Sequence, residues 1–378
     1  MTNHSEKMRI VEICTNFLPG GIQRHVLDLT DDLRQRGHEV TLVGDDGDWF
    51  PPEAVHLSLN QVAGYSGKMV RRIGAIFPAV LALRRALRAR QIQLIHAHET
   101  APALIARLAS LGLGIPIVMT FHGSAPARER QVANIARHCA DMVVSPSKDG
   151  IDRLVAAGLP RARCRVIGLG ISAMPQTEAA DVAALRAQLL GGKAGPLVFS
   201  LSRLAHQKGI DIMVEAAKQV VRHQPETVFA IAGHGPLQQD VAGWISDAGL
   251  SDNMQLLGPV SPVALHLAAA DIFLLTSRWE NLPVSIVEAF RAGLPVVATD
   301  CGGVRELVDE HVGAMVPVGQ PAATVAALLA LIEDEEMRMR KGQAALHRSQ
   351  EDRFTPLHVH ARFEALYRDL ITHGKSPH

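Results

Sequence analysis

The chain has 378 residues, more than one ordinary hydrophobic core supports, so two domains are expected. With 47% apolar and 20% charged residues it is globular rather than disordered. Lys+Arg and Asp+Glu both total 38, so no global field draws it to nucleic acid.

The N-terminal MTNHSEKM is polar, so no signal peptide is expected. From there a short apolar strand, a glycine-rich or polar turn and an amphipathic helix recur. Strands are predicted over 9–15, 39–43, 94–97, 115–121, 142–145 and 164–167. Helices are predicted over 23–36, 70–89, 101–111, 127–138 and 148–157. Residues 172–195 turn Ala-, Gln- and Gly-rich and read as a linker with a short helix. The alternation restarts with strands over 197–201, 227–232, 254–257, 271–276, 295–299 and 314–316. Helices fit at 209–223, 236–248, 262–269, 283–292 and 321–334. Residues 312–332 carry no charge, but Gly313, Pro317, Gly319 and Pro321 break the run, so no membrane span is predicted. A last helix follows an N-cap at Thr355 and Pro356, with Leu357, Phe363, Leu366 and Leu370 on its apolar side.

This alternation predicts an α/β protein with two doubly wound parallel sheets. The expected boundaries are a first domain over 1–172, a linker over 173–195, a second domain over 196–354, and a C-terminal helix, 355–378, packing back toward the first domain. Two such domains facing each other leave a cleft lined by the carboxyl ends of both sheets, where ligands of open α/β sheets bind. The four cysteines (Cys14, Cys139, Cys164, Cys301) form no CxxC and sit at no metal spacing, which reads as reduced thiols of a cytosolic protein.

The richest stretch is SRWENLPVSIVEAFRAGLPVVATD, residues 277–300. Asn281 is placed to cap a helix whose first turn holds Pro283, and Gly293 with Pro295 ends it. The free N–H groups around Leu282, Pro283, Val284 and Ser285 would then make an anion site. Glu288, leaning back toward the helix start, would meet a vicinal diol such as ribose. Phosphate on the helix end and ribose on Glu288 together describe a nucleoside diphosphate. Glu280 and Glu288 with EAF-x-AGLPVVAT-x-CGG closely resemble the retaining glycosyltransferases of family 4, which have the GT-B fold.

The resemblance runs along nearly the whole chain and implies roles for further residues. In LSRLAHQKGID, Arg203 and Lys208 match the Arg and Lys that contact the diphosphate, where two cations neutralise the departing group without a metal. In IAGHGPL, Gly233 and Gly235 follow a strand as if backbone must approach a ligand closely. The family carries an acid where this chain has His234, and that histidine is left unassigned. Gly20 and Gly21 match the loop near the donor sugar and diphosphate, although they do not form the dinucleotide fingerprint G-x-G-x-x-G. His122 matches a histidine that bonds the donor sugar, and Glu280 is implied to hold that sugar's hydroxyls. His96 and His98 are two apart at a strand end, one expected to face inward and one across. His98 or Glu99 is an acceptor-side candidate.

Asp46-Gly47-Asp48 spells the D-x-D with which a different glycosyltransferase fold holds a divalent ion, but its acidic loop reads as solvated. No cofactor or metal is expected. No G-x-S-x-G elbow occurs, which argues against a serine hydrolase. Residues 67–90 carry Lys68, Arg71, Arg72, Arg84, Arg85, Arg88 and Arg90 with no acid, beside Ile73, Ile76, Phe77, Val80, Leu81 and Leu87. Such a helix suits an anionic membrane surface, with Arg84, Arg85 and Arg88 as contacts; the alternative is a solvated helix packed on the sheet.

The expected function is transfer of a sugar from a UDP- or GDP-linked donor, with retention, to a hydroxyl acceptor. The acceptor is expected to be a lipid-linked saccharide of bacterial polysaccharide assembly, met on the inner face of the cytoplasmic membrane. By implication of the family, the leaving diphosphate takes the acceptor's proton. The rival readings are a GT-B sugar-nucleotide epimerase, a transferase with a small soluble acceptor, and a non-catalytic binding scaffold.

Overall fold

A computed structural model of the chain describes residues 6–60 and 69–374. It divides into two compact units, Met1–Ser172 with Asp352–His378, and Ala173–Glu351.

The first unit holds β1 (Arg9–Asn16), α1 (Gly21–Gln35), β2 (Glu39–Asp45), β3 (Val55–His56), α2 (Met69–Ala89), β4 (Leu94–His98) and α3 (Thr100–Ser110), then β5 (Ile117–Thr120), α4 (Glu129–Cys139), β6 (Met142–Ser145), α5 (Lys148–Ala156) and β7 (Cys164–Val166). The strands pair in parallel in the order β3-β2-β1-β4-β5-β6-β7. The order reverses between β1 and β4, which makes the carboxyl ends of those strands the switch point of the sheet. Strands covered on both faces read as continuous apolar runs, and every residue of β4, LIHAH, is buried. Two histidines inside such a strand therefore need partners.

The second unit contains α6 (Ala179–Leu190), β8 (Leu197–Leu201), α7 (Ile210–His223), β9 (Val228–Ala232), α8 (Gln238–Asp247), β10 (Met254–Gly258) and α9 (Val263–Ala269), then β11 (Ile272–Leu275), α10 (Val284–Arg291), β12 (Val296–Thr299), β13 (Gly313–Val316), α11 (Pro321–Glu333) and α12 (Glu335–Arg348). The parallel order is β10-β9-β8-β11-β12-β13, with the switch point between β8 and β11. Helix α6 is tied to this unit by Arg186, which pairs with Asp271 at 2.8 Å. Helix α12 has no counterpart in the sequence prediction, because EEMRMRKGQAALHR is polar almost all round. It starts on an Asp334 cap that accepts from Met337 N at 2.8 Å. Gly342 inside it lets the helix lie on Gly293, whose carbonyl would be 2.1 Å from any Cβ there.

The last helix, α13 (Pro356–His373), packs on the first unit's sheet. Its inward residues are Val359, Phe363, Tyr367 and Leu370, against Ile10, Leu94, Val118 and Met142. Leu357, expected on the apolar side, is 65% exposed, because it lies a quarter turn or more off that stripe. Beside the start of α13 the chain passes back along residues 168–171. Ile171 N donates to Phe354 O at 3.0 Å, and a Cβ on Gly168 would meet Arg353 O at 2.0 Å. The four cysteines are buried and unbridged.

Candidate active site

In the second unit, β8 and β11 end side by side and each releases a loop that carries a charge. The β8 loop turns at Gly209, which has φ +59 and would place any Cβ 2.2 Å from Thr276 O. Thr276 Oγ1 donates to Gly209 O at 2.9 Å, which fixes the two loops together. Arg278 grips Asp211 with both guanidinium nitrogens, at 2.9 and 2.6 Å, and its N–H donates to Gln207 O at 2.7 Å. Burial alone would raise the Asp211 carboxyl, but Arg278 outweighs it and the pKa is lowered. Gln207 in turn donates to Trp279 O at 3.0 Å.

The product of this clamp is a contact between Lys208 Nζ and Glu280 Oε1 at 2.5 Å. Glu280 is 7% exposed and also accepts from Ser277 Oγ at 2.6 Å. A carboxylate this deep is stable because it is paired and hydrogen-bonded. Only Asn281, Leu282 and Pro283 separate it from α10, so the first N–H groups of that helix lie within about 13 Å along the chain. The N-cap residue of α10 is Pro283, whose side chain makes no capping hydrogen bond. Asn281, predicted as its cap, is buried two residues before the N-cap position, which Pro283 occupies. Glu288 is half-buried in the second turn, near Arg291. The lysine and the helix N-terminus supply positive potential for a diphosphate, and the two glutamates supply acceptors for hydroxyls.

Arg203 is exposed and has no carboxylate within ion-pair distance among the described residues. Gly233 and Gly235 serve this loop. A Cβ on Gly233 would meet Ser202 O at 2.0 Å, and one on Gly235 would meet Leu204 O at 2.3 Å. Leu204 N donates to His234 O at 3.0 Å, so the loops after β8 and β9 run backbone to backbone. The close approach predicted for these glycines is thus to the segment that carries Arg203.

The first unit has a different centre at its switch point. Glu12, inside β1, is fully buried, and three donors converge on it. His98 Nε2 is 2.8 Å from Oε2, His96 Nδ1 is 2.9 Å from Oε2, and Tyr367 Oη donates to Oε1 at 3.0 Å. Burial alone would raise this carboxyl, but the two histidines outweigh it and hold it at about 2. Tyr367 also lies 2.6 Å from His96 Nδ1, while Thr120 Oγ1 sits 2.6 Å from His96 Nε2. Both histidines therefore meet Glu12 on one face of the sheet, as the two-residue strand period requires, and not on opposite sides as predicted.

His122 follows β5 and is half-buried, with Nε2 3.1 Å from His98 Nδ1. Burial lowers its pKa well below 6.5, and burial with the neighbouring His96 lowers His98 to about 4. His98 uses both nitrogens inside the protein and is fully buried, so the predicted acceptor contact does not fall on it. Glu99 is half-buried and accepts from Thr15 Oγ1 at 2.6 Å, and burial raises its pKa. Its φ of +84 is a strained conformation for a side-chain residue, of a kind that costs about 1–3 kcal/mol. Gly20 is the N-cap of α1 in extended backbone, and Gly21 opens the helix. Glu12, His25 and Tyr367 are absent from the predicted set. The one signal for Glu12 is a lone acid in the apolar run RIVEICTN.

Asp46 and Asp48 are exposed, and Gly47 is set by contact with Phe17 backbone, 2.2 Å from a would-be Cβ. Asp45, Asp46 and His56 lie close enough to share an ion, but Asp45 already accepts from Asn60 N at 2.9 Å. In α2, Arg84 donates to Ala109 O and Leu111 O, both at 2.8 Å. It closes the end of α3 and is half-buried, whereas Arg85 and Arg88 are exposed. Lys68 lies outside the described residues, as do the side chains of Arg71, Arg72 and Ile73. No described helix is long and apolar enough to cross a membrane.

The family model of group 1 glycosyl transferases matches residues 181–348, and that of glycosyltransferase family 4 matches residues 19–173. The chain is 30% identical to the phosphatidyl-myo-inositol mannosyltransferase of Mycobacterium tuberculosis, over 90% of this chain and 93% of that protein. It is 24% identical to the UDP-Gal:alpha-D-GlcNAc-diphosphoundecaprenol alpha-1,3-galactosyltransferase of Escherichia coli, over 90% and 92%. The fold matches the crystal structure of Anabaena HepE in complex with UDP and glucose, with a TM-score of 0.83 at 22% identity, over 96% of this chain and 100% of that one. With these two family models and a 30% identical relative along its length, the chain belongs to the group 1, family 4 glycosyltransferases of GT-B fold.

Proposed function

We propose that the protein transfers a hexose from a UDP- or GDP-linked donor, with retention and without a metal ion, to a hydroxyl of a lipid-linked saccharide in bacterial polysaccharide assembly. The observation that carries this reading is Lys208 paired with buried Glu280, with three residues between that glutamate and the start of α10 and with Glu288 in the helix's second turn. Lys208, Arg203 and the helix N-terminus stabilise the departing diphosphate. Glu288 takes the ribose, Glu280 takes hydroxyls of the transferred sugar, and His122 in the first unit bonds a sugar hydroxyl. Positioning and electrostatics then supply the rate, with the leaving phosphate oxygen accepting the acceptor's proton. The relative that acts on a diphosphoundecaprenol-linked sugar and the one that acts on phosphatidyl-myo-inositol support a lipid-linked acceptor.

Helix α2 supports peripheral contact with the inner face of the cytoplasmic membrane. Gly74, Phe77, Pro78, Leu81, Arg85 and Arg88 recur at helical spacing and are all exposed, Phe77 by 70%. Apolar residues lead and basic ones follow, which suits an anionic bilayer. Each basic residue at such a surface contributes about 1 kcal/mol, so Arg85→Glu with Arg88→Glu weakens vesicle binding about thirtyfold or more.

The test of the whole reading is turnover of purified protein with UDP- and GDP-sugars. Nucleoside diphosphate should appear at full rate only with a lipid-linked acceptor, the product anomer should match the donor, and a chelator should leave the rate unchanged. Inversion, or activity lost to chelation and restored by magnesium or manganese, overturns the corresponding part.

A further inference from the structure

Glu12 performs none of the roles assigned above, yet it is a fully buried carboxylate held by His98 and Tyr367, and the chain of contacts that starts at it ends on His122. The protons in this chain can be assigned from geometry. An ionised carboxylate only accepts, so the ring nitrogens 2.8 and 2.9 Å from Glu12 Oε2 must carry hydrogens. Tyr367 supplies the third donor, at 3.0 Å from Oε1. Three donors on a buried carboxylate hold it ionised.

The consequence passes outward. His98 Nε2 bears the hydrogen, so in the neutral ring Nδ1 is a bare lone pair. His122 Nε2, 3.1 Å away, must then bear the hydrogen that fills this contact, since two facing lone pairs would repel. The neutral His122 ring is left with an unprotonated Nδ1, which has no hydrogen-bond partner among the described residues. An isolated imidazole exchanges between its two forms and can offer either a donor or an acceptor there; Glu12 removes that choice.

We propose that Glu12 is a positioning residue: acting through His98, it holds His122 in the Nε2–H form, so that Nδ1 is presented as a hydrogen-bond acceptor to a sugar hydroxyl. The inference rests on the reading in which His122 meets a sugar. A hydroxyl bonded in this way must donate, and its oxygen lone pairs remain for other groups. The network thereby selects a hydroxyl over a group that only accepts.

The experiment is long-range proton–nitrogen NMR of the full chain labelled with nitrogen-15 in histidine, with His122→Gln used to assign that ring. In the wild type, His122 should be neutral and protonated on Nε2. In Glu12→Gln, whose amide can donate as well as accept, the His98 and His122 rings should become mixtures of forms. Turnover should fall about tenfold, the value of one hydrogen bond, while affinity for bare UDP or GDP stays within about twofold. Tyr367→Phe, which leaves Glu12 in place, should keep the His122 form and serves as the control for lost packing. A wild-type His122 protonated on Nδ1, or doubly protonated near neutral pH, overturns the proposal without recourse to any variant. So does an unchanged ring in folded Glu12→Gln. A ring that changes form with turnover intact instead overturns the assignment of His122 to a sugar, and with it the role given to Glu12.

Discussion

The polar centres of the two units occupy equivalent places, each at the switch point of a doubly wound sheet, and they are built differently. In the second unit a lysine and a carboxylate meet at 2.5 Å, on loops clamped by Arg278 and Asp211, close to a helix N-terminus. In the first unit a fully buried carboxylate is ringed by His96, His98 and Tyr367. One centre sets its cation on loops beside a helix N-terminus; the other spends its donors inside the protein. Similar topology therefore fixes where polar groups gather, and burial and local partners decide how they are used.

The largest expected effect separates the units by acid. His98, lowered from 6.5 to about 4, contributes stability that is complete above pH 6.5 and is lost as pH falls toward 4, because the unfolded chain takes up its proton first. This one ring accounts for about 3 kcal/mol. His25 and His122, also lowered by burial, act in the same direction, and Glu12 adds a loss between 4.5 and about 2. Among the described residues no histidine of the second unit is buried. Hydrogen exchange from pH 7 to 5 should therefore show first-unit amides losing protection first; loss in both units together breaks the contrast.

Next in size is Lys208→Ala. Removing a charged stabiliser of a leaving group lowers turnover by about 10²–10³-fold. A loss confined to KM would make Lys208 a ground-state anchor only.

The two glutamates should then divide. Glu288→Ala weakens bare UDP or GDP about ten- to a hundredfold, as expected for a charged hydrogen bond. Glu280→Ala leaves bare-nucleotide affinity within about threefold, since it frees Lys208, while turnover with the full donor falls at least tenfold, as for one such bond. Calorimetry with nucleotide, set beside turnover, reads both, and equal losses of nucleotide binding refute the division.

The smallest effect belongs to the clamp. Asp211→Asn should lower unfolding free energy by about 1 kcal/mol, given a partly exposed pair, and reduce turnover a few-fold. No change in either would mean that Lys208 and Glu280 hold their contact unaided.

Much of the second centre was legible in sequence because its residues lie in short contiguous motifs. Lys208 follows one strand, Glu280 follows the adjacent one, and Glu288 lies in the second turn of the helix that comes next. Apart from β3 and α12, the strands and helices emerged from apolar periodicity, with ends displaced by a residue or two. The first centre was mostly hidden. Glu12 and Tyr367 are 355 positions apart, and nothing local to either announces the other. His96 and His98 were visible, and the two-residue period places both on one face; what the sequence lacked was the carboxylate they share. Arg84 read as one charge of a basic run because the carbonyls it caps belong to another helix.

The passage of the chain between Ile171 and Phe354 has a consequence for synthesis. The second unit is one continuous segment, whereas the first is interrupted by it and resumes at Asp352. A ribosome therefore synthesises the whole of the second unit before the last helix of the first. Until Tyr367 emerges, Glu12 lacks one of its donors and Ile10, Leu94 and Val118 lack the apolar face of α13. The unit begun earlier is thus completed later, and a nascent chain carries an open, apolar sheet face for the 179 residues from Ala173 to Glu351.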